Sequence, residues 1–260
     1  MEARQIEVSV KRCAGPGQPS YWDTFKVAYA AGMNVIMVLQ ELRRNPVTID
    51  GKKVMPPAYD CSCLEEVCGA CSMLVNGKAR QACTALVDKL EHPISLAPLT
   101  KFPIVRDLAV DRSFMFENLK KVKAWVPIDG TYNLGPGPRL SFDESLERYV
   151  YSKCMTCGCC LESCPQVHGK STFMGAAPIA QVKLMNMHPT GKLNASERLD
   201  ALMGPGGIGN CGNAQNCVEA CPKEIPLSQA IADMQWDTTK RWIGKLFTAP
   251  AKVAVSGPAG

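Results

Sequence analysis

Eleven of the fourteen cysteines in this 260-residue chain stand at spacings that hold inorganic clusters, and no other feature narrows the possible folds so far. Cys63, Cys68 and Cys71 read C-x4-C-x2-C, and Cys83 follows after eleven intervening residues. That spacing suits a [2Fe–2S] cluster. A short loop has to wrap three thiolates round a small core and turn its amides toward the sulfurs. Gly69 permits the tight path, and an Asn76-Gly77 turn brings Cys83 back to close the site. The competing reading is a structural zinc site, which prefers C-x2-C pairs. Cys61, two residues before Cys63, competes as a ligand, but the x4 spacing favours Cys63.

Cys154, Cys157, Cys160 and Cys164-Pro165 read C-x2-C-x2-C-x3-C-P. Where two such runs occur, the fourth cysteine of each ligates the cluster of the other. The second run is Cys211, Cys217 and Cys221-Pro222, with Ala214 where the second cysteine belongs. Cys154, Cys157 and Cys160 with Cys221 therefore make a four-thiolate [4Fe–4S] site. Cys164, Cys211 and Cys217 make a three-thiolate site suited to [3Fe–4S]. The alternative at the latter is a second [4Fe–4S] cluster completed by Cys159 or water. Cys159 reads as a small residue packed in its loop, and Cys13 as a free thiol.

The formal charge of +5 hints at an acidic partner. Oxidised clusters held by thiolates would carry about −2 each by formal oxidation state, so the basic excess reads as compensation. No basic stripe interleaved with aromatics occurs, and no nucleic-acid partner is expected. Met1–Lys11 has no apolar signal core, and no run of eighteen uncharged apolar residues occurs. The expectation is a chain on the cytosolic side, where thiols stay reduced, with no transmembrane helix. No general acid, base or nucleophile stands out.

The halves differ in texture. Alternation at Ile6-Val8-Val10 and Phe25-Val27-Tyr29 predicts strands, and Asn34–Arg44 carries a helical apolar stripe ending before Pro46. Met73–Val75, Asn76-Gly77 and Lys78 onward predict a hairpin; Ala85–Val87 and Ile94–Leu96 read as further strands. Residues 1–112 thus suit a small α+β domain. From Ser113 to residue 250 the pattern is helical. Ser141–Glu144 and Asn194–Glu197 read as capping boxes, a helix starts after Pro226, and Gly130–Arg139 links two helices. Residues 251–260 read as a frayed tail.

Three clusters of three kinds in this order resemble one family, the iron–sulfur subunits of succinate dehydrogenase and fumarate reductase in respiratory complex II. The likeness spans nearly the whole chain. It includes the Cys63–Cys71 loop, Pro103–Leu108 with Val110-Asp111, both C-x3-C-P runs and His188-Pro-Thr-Gly-Lys192. Arg106-Asp107 reads either as a surface pair closing the first domain or as part of a partner interface. The resemblance implies an α+β architecture, with an N-terminal β-grasp plant-type ferredoxin domain and a C-terminal all-α bacterial-ferredoxin-like domain. It implies a flavoprotein partner with covalent FAD, one or two membrane anchor subunits of cytochrome b type, and quinone near the [3Fe–4S] cluster. The chain would lie at the cytoplasmic face of the membrane and carry electrons from succinate to quinone. Fumarate reduction by the same parts, or a soluble multi-cluster ferredoxin carrier, are the alternatives. Ubiquinone-linked members carry tryptophans after the first C-P and a histidine after the first cysteine of the second run. Here Gln166-Val167-His168-Gly169 and Gly212 stand there, which resembles the menaquinone-linked type. Pro165, His168, Gly212 and Ala214 are the candidates for the quinone vicinity, His168 alternatively being a solvent-facing loop residue. The last helix, with Trp236, Trp242 and Phe247 among Lys240, Arg241 and Lys245, faces either the anchor or its own core.

Overall fold

A computed structural model describes residues 4–127 and 139–247 of the chain. In the first half, β1 (Gln5–Arg12) and β2 (Tyr21–Ala28) pair antiparallel from Gln5↔Ala28 to Arg12↔Tyr21. Their alternation buries Ile6, Val8 and Val10 beside Phe25 and Val27. Helix α1 (Val35–Arg44) starts at Asn34, whose side-chain oxygen accepts the Met37 N–H at 2.9 Å. It buries Val35, Ile36, Val38, Leu39 and Leu42 against the sheet. Strands β3 (Ser72–Val75) and β4 (Lys78–Gln81) form the expected hairpin, with Asn76 and Gly77 at φ +49° and +75°. Strand β5 (Ile94–Ala97) lies parallel to β1 and antiparallel to β3, giving the sheet order β2-β1-β5-β3-β4.

Ala85–Val87 is not a strand. Leu86 makes a single bridge to Asn34, and Val87–Lys89 form one 3₁₀ turn. The apolar residues there are buried by docking on the entry to α1, where the Val87 N–H is taken by the Met33 carbonyl. A short hairpin of β6 (Ile104–Arg106) and β7 (Ala109–Val110) turns through Asp107 at φ +47°. Asp107 is not a surface residue. Its buried carboxylate accepts from Arg12 Nε (3.0 Å), the Cys13 N–H (3.1 Å) and the Ala58 N–H (2.9 Å). Arg106 is half-buried with Nε 3.7 Å from Asp107 Oδ2, and Asp107 closes the domain from within.

The second half is helical: α2 (Ser113–Lys121), α3 (Phe142–Ser152), α4 (Cys159–Glu162), α5 (Ala176–Met187), α6 (Ala195–Met203), α7 (Asn216–Glu219) and α8 (Leu227–Phe247). Ser141 and Glu144 complete a reciprocal capping box at α3. Asn194 does not. It ends a 3₁₀ turn at Gly191–Asn194, and its amide reaches the Glu197 carboxylate instead of a backbone N–H. Helix α5 is the hub, packed on α3, α6 and α8. Its core gathers Met115, Tyr151, Ile179, Val182, Leu202 and Ile231. Leu99 and Phe102, from the end of the sheet domain, are buried in this second core, and Phe102 packs on Phe114 with ring centroids 5.1 Å apart. Residues 130–138 of the expected linker and the tail 251–260 lie outside the described residues. Among the described residues no helix is long and apolar enough to cross a membrane.

Candidate iron–sulfur centres

The first thiol group sits on the loop before β3. Leu64, Glu66 and Gly69 take positive φ (62°, 59° and 70°), which turns successive amides inward. The N–H groups of Glu65, Val67 and Cys68 point at Cys63 Sγ at 3.5, 3.3 and 3.3 Å, and that of Ala70 points at Cys68 Sγ at 3.4 Å. These donors hold the Cys63 thiol down to about 7, led by the Glu65 and Val67 amides. Cys83 follows β4, and its carbonyl accepts the Asn34 side-chain N–H at 2.9 Å, so the start of α1 fixes it. Burial, then the facing Cys71 thiol, push Cys83 up to about 12. Cys61 is exposed. Cys13 is buried away from this group, donating to the Gly15 carbonyl at 3.1 Å.

The other two groups line neighbouring cavities. Cys154, Cys157, Cys160 and Cys221 line one; Cys164, Cys211 and Cys217 line the other, with Ala214 in its wall. Each cavity takes walls from both cysteine runs. The two runs also share a backbone path. Two and four residues after the leading cysteine, Thr156 and Gly158 in the first run and Asn213 and Gln215 in the second take positive φ (52°, 90°, 52° and 61°). A four-residue helix then starts five residues after that cysteine in each, α4 and α7. Ala214 therefore occupies the same step of the same turn as Cys157, with a methyl in place of the thiol.

Burial pushes the Cys160 thiol well up, with Cys157 and Cys154 adding to it; Cys217 is pushed up to about 11 by burial and then by Cys164 and Cys211. Cys157 is held down to about 7 by the facing Cys159 thiol against the cost of burial, and Cys159 is raised by the same pairing. Crowded buried thiols resist ionising together unless positive charge sits among them. An iron–sulfur core supplies that charge. Among the described residues no three His, Cys, Asp or Glu side chains converge as a single metal ion requires. The thiols of the two later groups stand around cavities, an arrangement that a multi-atom core with all-sulfur donors fits.

The first and second thiol groups are joined by contacts that cysteine spacing does not announce. A Cβ on Gly69 would stand 2.7 Å from the Met155 carbonyl and 2.9 Å from Cys157 Cα. Arg112 donates to the Gly69 carbonyl at 2.5 Å and also reaches the Thr156 carbonyl at 3.4 Å, clamping both loops. Buried Gln81 touches Cys71, Ser72 and Cys159. The Glu162 carboxylate on α4 accepts from Thr100 Oγ1 (2.6 Å) and the Lys101 N–H (3.0 Å). Gln81 alternates correctly for an inward strand position, but nothing in the sequence pairs it with a loop 78 residues away.

Pro165, Gly212 and Ala214 line the third cavity. His168 is exposed and outside that lining, with Nδ1 accepting the Lys170 N–H at 3.3 Å. Trp236, Trp242 and Phe247 on α8 are exposed rather than buried in the core of their own half.

Residues 7–117 match the family described as 2Fe-2S iron-sulfur cluster binding domain, and residues 150–225 the family described as 4Fe-4S dicluster domain. The succinate dehydrogenase iron-sulfur subunit of Bacillus subtilis is 56% identical over 246 residues, covering 95% of this chain and 97% of its own length. The chain belongs to the iron–sulfur subunits of the succinate dehydrogenase and fumarate reductase family. A fumarate reductase iron-sulfur subunit from Haemophilus influenzae is 30% identical over 199 residues, 72% of this chain and 77% of its own. In fold, a chain of the Mycobacterium smegmatis Sdh1 complex in the apo form matches with a TM-score of 0.73 at 23% identity, covering 92% of this chain and 97% of that one. This iron–sulfur subunit is thus one part of an oxidoreductase complex, with a ferredoxin-type sheet domain joined to a helical dicluster domain.

Proposed function

We propose that this subunit carries electrons from a flavoprotein, where succinate is oxidised at FAD, through [2Fe–2S], [4Fe–4S] and [3Fe–4S] clusters to quinone at a membrane anchor. Cys63, Cys68, Cys71 and Cys83 hold the first cluster. Cys154, Cys157, Cys160 and Cys221 hold the second, and Cys164, Cys211 and Cys217 the third. The observation that carries this reading is the unbroken contact from the first thiol group to the second, and the shared cysteine runs from the second to the third. The clusters supply reversible one-electron chemistry. The protein's own residues hold them in sequence, exclude water through the two cores, and aim amide N–H groups at their sulfurs. Quinone approaches the Pro165–Gly212–Ala214 side of the third cavity, and the exposed aromatics of α8 face the anchor at the cytoplasmic face of the membrane. Menaquinone is the quinone, since no tryptophan follows Pro165 and glycine follows Cys211.

Electron paramagnetic resonance of the purified complex tests the assignment. The oxidised protein is expected to show the three-iron signal, and the reduced protein the [2Fe–2S] signal. Isolation of this chain with zinc and no acid-labile sulfide, or without a flavoprotein, would overturn it.

A further inference from the structure

We propose that the Gln81 amide tunes the first cluster by donating an N–H to Cys71 Sγ, with its oxygen turned toward Ser72 on the side that faces the loop of the second. This rests on the reading of Cys71 as a ligand. Gln81 is 1% exposed at the end of β4, between the two thiol groups. One end of its amide lies 3.5 Å from Cys71 Sγ, and the other lies 2.8 Å from Ser72 Oγ and 3.6 Å from Cys159 Sγ. With Cys71 as a thiol, the thiol donates to Oε1 and Nε2 faces Ser72 and Cys159. Iron removes that proton. A ligating Cys71 sulfur only accepts, and an amide oxygen facing it would set acceptor against acceptor in a dry site.

Turning the amide by 180° exchanges its two ends and sets a donor against Cys71 Sγ with no shift of a neighbouring heavy atom. Nε2–H then donates to Cys71 Sγ. Oε1 accepts from the Ser72 hydroxyl, which now gives up its donation to the Gly69 carbonyl at 2.9 Å, while the Cys159 thiol keeps its pairing with Cys157. That carbonyl keeps the Arg112 guanidinium at 2.5 Å. The hydrogen bond to sulfur favours the reduced, more negative cluster and raises its potential.

The test is a redox titration of the intact complex, followed by the [2Fe–2S] paramagnetic signal, with Gln81→Leu and Gln81→Met. Both remove the donor while filling the space, and Met serves where Leu prevents folding. The reduction equilibrium of the first cluster is expected to fall about tenfold, which is 59 mV for one electron, with the three-iron signal unmoved. Cys71→Ser tests the ligand assignment separately, because oxygen in place of sulfur must alter the shape of that same signal. An unaltered Cys71→Ser spectrum would remove the ligand reading and this inference with it. An altered Cys71→Ser spectrum, with a Gln81 variant whose potential moves less than about twofold or moves upward, would overturn the inference alone.

Discussion

Gly69→Ala is the sharpest probe of the junction between the two halves. Gly69 has φ +70°, where an L-residue costs about 1–2 kcal/mol. Its new Cβ would also meet the Met155 carbonyl at 2.7 Å and Cys157 Cα and Cβ at 2.9 Å. Relieving a contact several tenths of an ångström too short against backbone costs about 1–3 kcal/mol more. Gly77→Ala is the matched control. Gly77 has φ +75° and open space around its Cβ direction, so it bears the backbone cost alone. In a chain of this size each kcal/mol shifts the thermal midpoint by about 2–4 °C. Gly69→Ala is therefore expected to melt about 2–12 °C below Gly77→Ala, followed by circular dichroism on the cluster-loaded protein. Equal midpoints for the two variants would show that the cluster loops do not pack as described.

Three further outcomes are expected. Ala214→Cys places a thiol at the step that Cys157 occupies in the first run, so the oxidised three-iron signal should give way to a [4Fe–4S] signal on reduction; persistence of the three-iron signal with the new thiol free to alkylation counts against this. Asp107→Ala strips Arg12 of one of its two carboxylates and leaves the Cys13 and Ala58 N–H groups without their acceptor, a loss of about 3–5 kcal/mol in thermal or denaturant unfolding; Asp107→Asn, which keeps an acceptor and tolerates the turn, should lose less. Arg241, bidentate at 3.0 and 2.9 Å, and then Lys245 hold the Asp200 carboxyl down to about 2. Because the folded value lies below the unfolded one, this clasp between α6 and α8 contributes fully above about pH 5 and is lost as pH falls through about 4 toward about 2. The gap in midpoint between native protein and Asp200→Asn should close over that window, and a gap independent of pH would contradict the assignment.

Local chemistry made much of the fold readable in advance. The Asn76-Gly77 hairpin, the α1 stripe and the Ser141–Glu144 cap each depend on residues within a few positions of one another, and all three form. The failures have a common cause. Ala85–Val87 looks like strand because it is apolar, yet its burial comes from docking on α1. Asn194 looks like a cap, yet the preceding 3₁₀ turn gives it φ −103° and ψ 13°, and Glu197 is taken by Lys123 and by the Asn194 amide. Helix α5 carries no apolar stripe to read, since neighbours cover it on several sides and even Lys183 is buried, with Asp233 at 2.5 Å. Cys154, Cys157, Cys160 and Cys221 line one cavity and Cys164, Cys211 and Cys217 another. The groups that join the first site to the second, Gly69, Gln81 and Arg112, act over 43 to 88 residues of sequence and leave no local pattern.

The exchange of walls between the two cysteine runs bears on how such a chain is built. Neither the second nor the third cavity exists until Cys211–Pro222 has been synthesised and folded back beside Cys154–Pro165, with α5 and α6 packed between the runs in sequence. A ribosome-bound chain that has emerged only as far as α6 holds the first run without the walls that the second supplies. Both cavities therefore close only late, on a nearly finished domain. A chain truncated before Cys211 keeps the whole first thiol group and lacks both later cavities.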